Sequence, residues 1–244
     1  VKNTLFFLLT IANKKRNIFR GKVIGITGSV GKTSIKENLK LFLSSEFNVS
    51  ASIKSYNNYL GVLVSLINMN LYSNFAIFEI GTNNFYEIRD LASIIMPQQV
   101  IITNILPTHL ENFKNTRNIA KEKSDIFNPK FNPEVELLIL PNSNNDELFL
   151  YDQAKKMNIC KILTLGKNEN SDYCIQNINE KAKNLSTVRV KHNRELFEIV
   201  VSTNLYHQIY NIIICLMIFN YNNLALNKFY ELTQHVPMIK GRGL

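Results

Sequence analysis

Apolar positions along the chain fall into two alternating textures. Short runs rich in branched residues occur at 23–27, 75–80, 100–104, 137–140 and 162–165. Between them lie stretches with helical spacing at 32–45, 58–71, 86–95, 116–128 and 146–157. Continuous apolar strands separated by helices predict a mainly parallel sheet covered on both faces. Right-handed crossovers then place ligands at the carboxyl ends of the strands.

The texture changes after Gly166. Residues 172–178, 187–192 and 196–202 read as short strands, with Asn193 and Arg194 forming a turn, so the sheet carries a small antiparallel appendage. A buried helix is expected from about 206 to 220, then a final helix to about His235, ended by Pro237. The longest apolar stretches, 5–12 and 209–219, are shorter than the roughly 20 residues of a membrane span. The first precedes Lys14, Lys15 and Arg16, lacks a cleavage site, and reads as an amphipathic helix packed on the domain or on a neighbouring one. The expected fold class is α/β, a mainly parallel sheet flanked by helices with a small antiparallel strand appendage.

With 45% hydrophobic and 19% charged residues in 244, the chain is expected to fold rather than remain disordered. Its formal charge of +9 suits nucleic acid, an anionic membrane or small anionic substrates. Lysines and arginines are scattered, however, and no nucleic-acid signature accompanies them. The surplus reads as solvated surface plus phosphate-binding residues. Cys160, Cys174 and Cys215 lack metal-ligand spacing and read as reduced, mostly buried thiols of a cytoplasmic protein.

The most informative stretch joins an apolar strand to Thr27, Gly28, Ser29, Val30, Gly31, Lys32, Thr33 and Ser34. Gly28 and Gly31 can take positive φ and bring backbone amides close to phosphate oxygens. Lys32 can reach the outer phosphates of ATP, and the Thr33 hydroxyl can ligate Mg²⁺. One departure stands out: the general phosphate-loop pattern places glycine where this chain has Ile26. Glu79 ends a second apolar strand, where a carboxylate commonly holds the nucleotide's Mg²⁺. A third strand leads to His109.

In this order the motifs resemble the Mur ligases, ATP-dependent amide ligases of cell-wall synthesis, across about residues 20–243. The resemblance is carried by the 27–33 loop; by Asn57, Asn58 and Gly61; by Glu79, Gly81, Glu87 and Ile88; by Asn104, His109 and Glu111; by Ala120, Lys123 and Asp125; by His207 and Asn211; and by Gly241, Arg242 and Gly243. Glu79-Ile80-Gly81 followed by Glu87-Ile88 favours the family's D-alanyl-D-alanine-adding type. Departures are Ser55, Leu63, Phe85 and Tyr86, together with Leu205, Ile213 and Ile214, where the nucleotide pocket would be reshaped, while the metal and phosphate residues are intact.

The resemblance implies roles. Residues 27–34 would bind ATP, with His207 and Asn211 near adenine and Arg242 reaching the phosphates from the domain's edge. Thr33, Glu79 and His109 would ligate Mg²⁺. Lys123 would carry a carbamate supporting a second Mg²⁺, and Lys32, Lys123 and His109 would be the catalytic set. Asn57 and Asn58 would shape the substrate side. The reaction implied is addition of D-alanyl-D-alanine to a UDP-linked muramoyl tripeptide through an acyl phosphate, by a monomer with no nucleic-acid partner and no membrane span. Residues 1–20, beginning at Val1, would be a helical remnant or linker from an N-terminal domain, with 21–244 the central ATP-binding domain and the C-terminal domain absent. The isolated chain is then expected to bind nucleotide yet ligate poorly. A folate-polyglutamate or cyanophycin type of ligase, or a non-catalytic nucleotide-binding remnant, are the alternatives.

Overall fold

The computed structural model describes residues 2–235. Helix α1 (Lys2–Ile18) leads into β1 (Lys22–Thr27), α2 (Lys32–Leu43), the short β2 (Val49–Ala51), α3 (Tyr59–Asn68) and β3 (Phe75–Glu79). Then follow α4 (Glu87–Ile95), β4 (Gln99–Ile102), α5 (Leu110–Phe113), α6 (Thr116–Ser124) with a 3-10 turn after it, β5 (Leu137–Pro141), α7 (Asn145–Lys156) and β6 (Lys161–Gly166). Strands β7 (Tyr173–Ala182), β8 (Leu185–His192) and β9 (Glu195–Val201) precede α8 (Tyr206–Tyr221) and α9 (Asn227–Thr233).

Among the described residues one sheet runs in the order β2-β3-β1-β4-β5-β6-β7-β8-β9. Pairing is parallel as far as β7 and antiparallel from β7 to β9. The expected antiparallel appendage is thus a continuation of the main sheet, and β7 and β8 are longer than the sequence pattern indicates. The chain passes from β1 to β3 on one side and to β4 on the other, so the order reverses at β1. Open α/β sheets bind ligands at such a reversal.

Strand side chains alternate between faces, and both faces are buried, which is why the apolar runs are continuous. Ile24, Ile26, Ile77, Ile101 and Ile139 enter the layer that holds α2, α8 and α9. Val23, Phe78, Val100, Ile102 and Leu138 enter the opposite layer with α1, α3, α4 and α7. In the first layer Phe229 of α9 meets Phe42 and Phe219 at centroid distances of 4.9 and 5.1 Å. That cluster ties the phosphate-loop helix α2 to α8 and α9.

The starts of α3, α6 and α7 fall within one residue of the periodic pattern, and polar groups cap the helix ends. Asn58, Asn115 and Asn144 accept from backbone N–H groups of the first turns of α3, α6 and α7. Lys15 donates to the carbonyls of Ile67 and Met69, and Arg16 to those of Ile95 and Met96, which close the C-terminal ends of α3 and α4. These two cations, expected on a solvated surface, are structural. Pro237 and Arg242 lie outside the described residues.

Candidate functional site

The phosphate loop sits where β1 ends, and the neighbouring strand β4 holds it. Ser29 N–H donates to the Asn104 carbonyl at 3.1 Å and Val30 N–H to Asn104 Oδ1 at 3.0 Å. The Thr103 hydroxyl donates to the Val30 carbonyl. Gly28 has φ 144°, and a Cβ there would run into the Thr103 hydroxyl. Gly31, at φ 85°, starts α2 without a side-chain cap. The first-turn amides of α2 therefore face the loop with no side chain of the N-cap residue on them, unlike those of α3, α6 and α7. A helix start of this kind suits an anion.

Lys32 folds back over the loop, its Nζ donating to the carbonyls of Gly28 at 2.8 Å and Ser29 at 3.3 Å. Burial lowers the proton affinity of this amine, and Glu79 opposes that effect. The Thr27 hydroxyl is buried and has no hydrogen-bond partner among the described residues.

Glu79 is buried at the end of β3. Its Oε2 accepts from the Thr33 hydroxyl at 2.8 Å, and its Oε1 accepts from Asn57 Nδ2 at 2.8 Å. Lys123, on α6, is only 3% exposed. Loss of solvent first, and then the positive charge of Lys32, bring its amine down to about 7, with Glu122 pulling the other way. Glu122 accepts from the N–H groups of Tyr86 at 2.7 Å and Ile88 at 2.9 Å, so α6 is fastened to the start of α4. Burial pushes the Glu122 carboxyl up, against those two hydrogen bonds.

His109 takes the left-handed conformation (φ 53°) just before α5 and is exposed, 3.7 Å from Glu111. With Lys32, Asn57, Asn58, Gly81 and Asn83 it lines a cavity of about 310 Å³. Burial pushes the Glu87 carboxyl of this cavity up, but donors from Asn84 and Asn83 outweigh it and hold the group below the usual range. Glu79 is thus in direct contact with both Thr33 and Asn57, the charge of Lys32 acts on Lys123, and His109 shares a cavity with Lys32. Among the described residues no three His, Cys, Asp or Glu side chains converge on one metal position. The donors that do converge, a hydroxyl and a carboxylate, are the oxygen ligands a hard cation such as Mg²⁺ takes beside phosphate.

On the other side of Gly31 a larger cavity of about 770 Å³ is bounded by Val30, Gly31, Ser34, Asn104, His207 and Asn211. Asn211 Oδ1 lies 3.7 Å from where a Cβ on Gly31 would stand. Sequence reasoning missed Asn142, Lys167, Tyr206 and Tyr210, which line the same cavity. Lys167 Nζ lies 4.5 Å above the Tyr206 ring, and Tyr210 donates its hydroxyl to the Leu165 carbonyl. Asn142 and Lys167 directly follow β5 and β6, so the strand-end rule would have located both.

A strand, a glycine loop and a helix bearing Lys32 and Thr33, with an acidic strand end alongside, define the phosphate-loop class of α/β domains. Residues 26–219 match the family model of the Mur ligase middle domain, and the chain belongs to the Mur ligase family. It is 40% identical over 166 residues to the UDP-N-acetylmuramoyl-tripeptide–D-alanyl-D-alanine ligase of Rickettsia prowazekii, covering 68% of this chain and 36% of that protein. Against the Escherichia coli ligase of the same name it is 32% identical over 148 residues, 61% of this chain and 32% of that one. In fold it resembles MurF from Acinetobacter baumannii (TM-score 0.85, 24% identity, 98% of this chain and 51% of that chain). It likewise resembles MurF from Thermotoga maritima in complex with ADP (TM-score 0.85, 22% identity, 99% and 54%). The chain spans about a third of the length of these curated relatives.

Proposed function

We propose that this chain is the nucleotide-binding part of an ATP-dependent ligase that adds D-alanyl-D-alanine to UDP-N-acetylmuramoyl tripeptide. The observation that carries the reading is the convergence of Lys32, Thr33 and Glu79 at the strand ends, with the buried amine of Lys123 within the field of Lys32. The names of the curated relatives supply the substrates.

In this reading the larger cavity takes the nucleoside end of ATP, and the loop amides of residues 28–33 take its phosphates. The smaller cavity, lined by Asn57, Asn58 and His109, receives the tripeptide carboxylate. Lys32 stands between the two and neutralises charge on the γ-phosphoryl group as it moves from ATP to that carboxylate, with ADP as the leaving group. The amine of D-alanyl-D-alanine then attacks the acyl phosphate carbonyl, and phosphate leaves. Thr33 and Glu79 would hold Mg²⁺, which supplies further charge neutralisation on the phosphates. His109 lines the smaller cavity with Lys32 and Asn57, and in this reading it would be a further ligand there. Lys123, neutral in an appreciable fraction near pH 7, can attack CO₂ through its nitrogen lone pair and release a proton, giving a carbamate oxygen suited to a second Mg²⁺. Asn211 and His207 border the nucleoside end; Arg242, the remaining member of the expected ATP set, lies outside the described residues.

Binding of a fluorescent ATP analogue to the wild-type chain and to Lys32→Ala tests the reading. The substitution is expected to weaken binding by about tenfold or more, the scale of a lost charge-assisted hydrogen bond. Equal affinity in the two proteins rejects the site.

A further inference from the structure

A second lysine of α2 remains without a role in this scheme. Lys36 lies one helical turn after Thr33, and it is fully buried. Its Nζ donates to the Ser52 carbonyl at 3.0 Å and to the Lys54 carbonyl, and pairs with Glu37 Oε1 at 3.0 Å. A long apolar side chain would fill the same space without requiring three acceptors, so the amine is what the site uses.

The segment it holds leads directly to the proposed metal site. Ser52 Oγ accepts from the Glu79 N–H at 3.2 Å. Lys54 takes a left-handed conformation at φ 48°, which lets the chain turn beside α2. Asn57 then accepts from Gly81 N–H through its carbonyl at 2.8 Å and donates its side-chain amide to Glu79 Oε1. The other carboxylate oxygen faces Thr33. A closed circuit results: Thr33 to Glu79, Glu79 to Asn57, back along residues 57–52 to Lys36, and along α2 to Thr33.

We propose that Lys36 is a positioning residue for Glu79. By clamping residues 52–54 to α2 it sets the Asn57 amide on Oε1 of Glu79, which leaves Oε2 aimed at the Thr33 hydroxyl and at a divalent cation bound there. The inference rests on the reading of this site as a place for a metal–nucleotide complex. It extends that reading to a residue that touches neither metal nor nucleotide.

The test uses Lys36→Met, Lys36→Arg and Asn57→Ala in this chain, with two measurements. Hydrogen exchange without metal or nucleotide is expected to show faster exchange at residues 52–57 in Lys36→Met, with β4 to β6 unchanged. Titrating Mg²⁺ into protein with a fluorescent ATP analogue is expected to give a half-saturating Mg²⁺ about tenfold higher in Lys36→Met, as for a lost partner of a metal ligand. Affinity for the analogue in EDTA stays at the wild-type level, and Lys36→Arg recovers part of the difference. A general loss of structure would lower both affinities together and overturns the proposal. If Lys36→Met does not fold, Lys36→Arg and Asn57→Ala decide the case: their Mg²⁺ effects are expected to be non-additive in the double variant, and additive effects overturn it. Mg²⁺ dependence lost in Thr33→Ala but unaltered in every Lys36 variant rejects the role of Lys36 alone. A wild-type chain indifferent to Mg²⁺ rejects the underlying site as well.

Discussion

Lys123 on α6 lies within the electrostatic reach of Lys32 on the first turn of α2, and its proton affinity falls because of both burial and that neighbour, burial being the larger cause. Two amines placed together in this way are stable when a polyanion lies between them or when one has lost its proton. Lys123, at about 7, is the one poised to do so.

Stability should therefore follow pH in a definite direction. Below about 7, Lys123 is protonated whether the chain is folded or not, and the penalty of its burial is fully present. Between about 7 and the ordinary lysine value of 10.5, the unfolded chain binds a proton that the folded chain does not, so stability rises with pH. Lys123→Met removes this dependence. Its stability advantage over wild type is expected to shrink by roughly a few kcal/mol from pH 7 to pH 10. Urea titrations in CO₂-free buffer measure it, and parallel pH profiles would contradict the assignment.

The same amine should react with CO₂. Carbon-13 NMR of the chain in labelled bicarbonate is expected to show a carbamate resonance that grows as pH rises through about 7 and vanishes in Lys123→Arg. A spectrum unchanged by the substitution would place any carbamate elsewhere.

The two cavities flanking Gly31 predict separable losses of affinity. Tyr206→Ala, at the larger one, should weaken ATP and ADP binding by the same factor, since that cavity is assigned to the nucleoside end that the two nucleotides share. A lost aromatic contact of about 1 kcal/mol corresponds to roughly fivefold. Lys32→Ala should weaken ATP more than ADP. Isothermal titration with both nucleotides checks the pair, and the reverse pattern would exchange the roles of the cavities.

Gly28→Ala should disable the loop. The new Cβ would meet the Thr103 hydroxyl, and φ 144° is unfavourable for any residue with a side chain. We expect a stability loss of about 1–3 kcal/mol and loss of nucleotide binding. Removing the clash with Thr103→Ala in the same chain restores little, because the backbone strain persists; full recovery would show that sterics alone matter.

Arg16→Met leaves the carbonyls of Ile95 and Met96 without their donor. Destabilisation of about 1–3 kcal/mol is expected in urea unfolding, with nucleotide affinity unchanged in the folded protein. Burial lowers the proton affinity of this guanidinium, with Glu134 opposing. A neutral effect of the substitution would mean that solvent replaces it without loss.

The central strands were readable because burial on both faces leaves an uninterrupted apolar run, as at 75–78 and 137–140. The three-residue edge strand β2 is half-buried and carries no such signal. In β7 the strand at 172–178 was readable, but the polar residues Asn179, Glu180 and Lys181 conceal its continuation to Ala182. Within the site, the phosphate loop was legible because its residues are contiguous, whereas Lys167, Tyr206 and Tyr210 meet only through the fold. Lys15, Arg16 and Lys36 were the hardest to read. A lysine or arginine on a helix belongs to solvent by default, and only the carbonyl groups around it, supplied by distant segments, make it structural.

The larger cavity is assembled from the ends of β1, β4, β5 and β6 and from the first turns of α8, a span running from Val30 to Asn211. No short fragment contains it, so a nucleotide bound there as proposed would recognise only a chain that has finished folding. Ligand would then act as a staple across four neighbouring strands, adding about 2.7 kcal/mol at a hundredfold excess over its dissociation constant. Supply of nucleotide and the lifetime of the native fold become one coupled quantity.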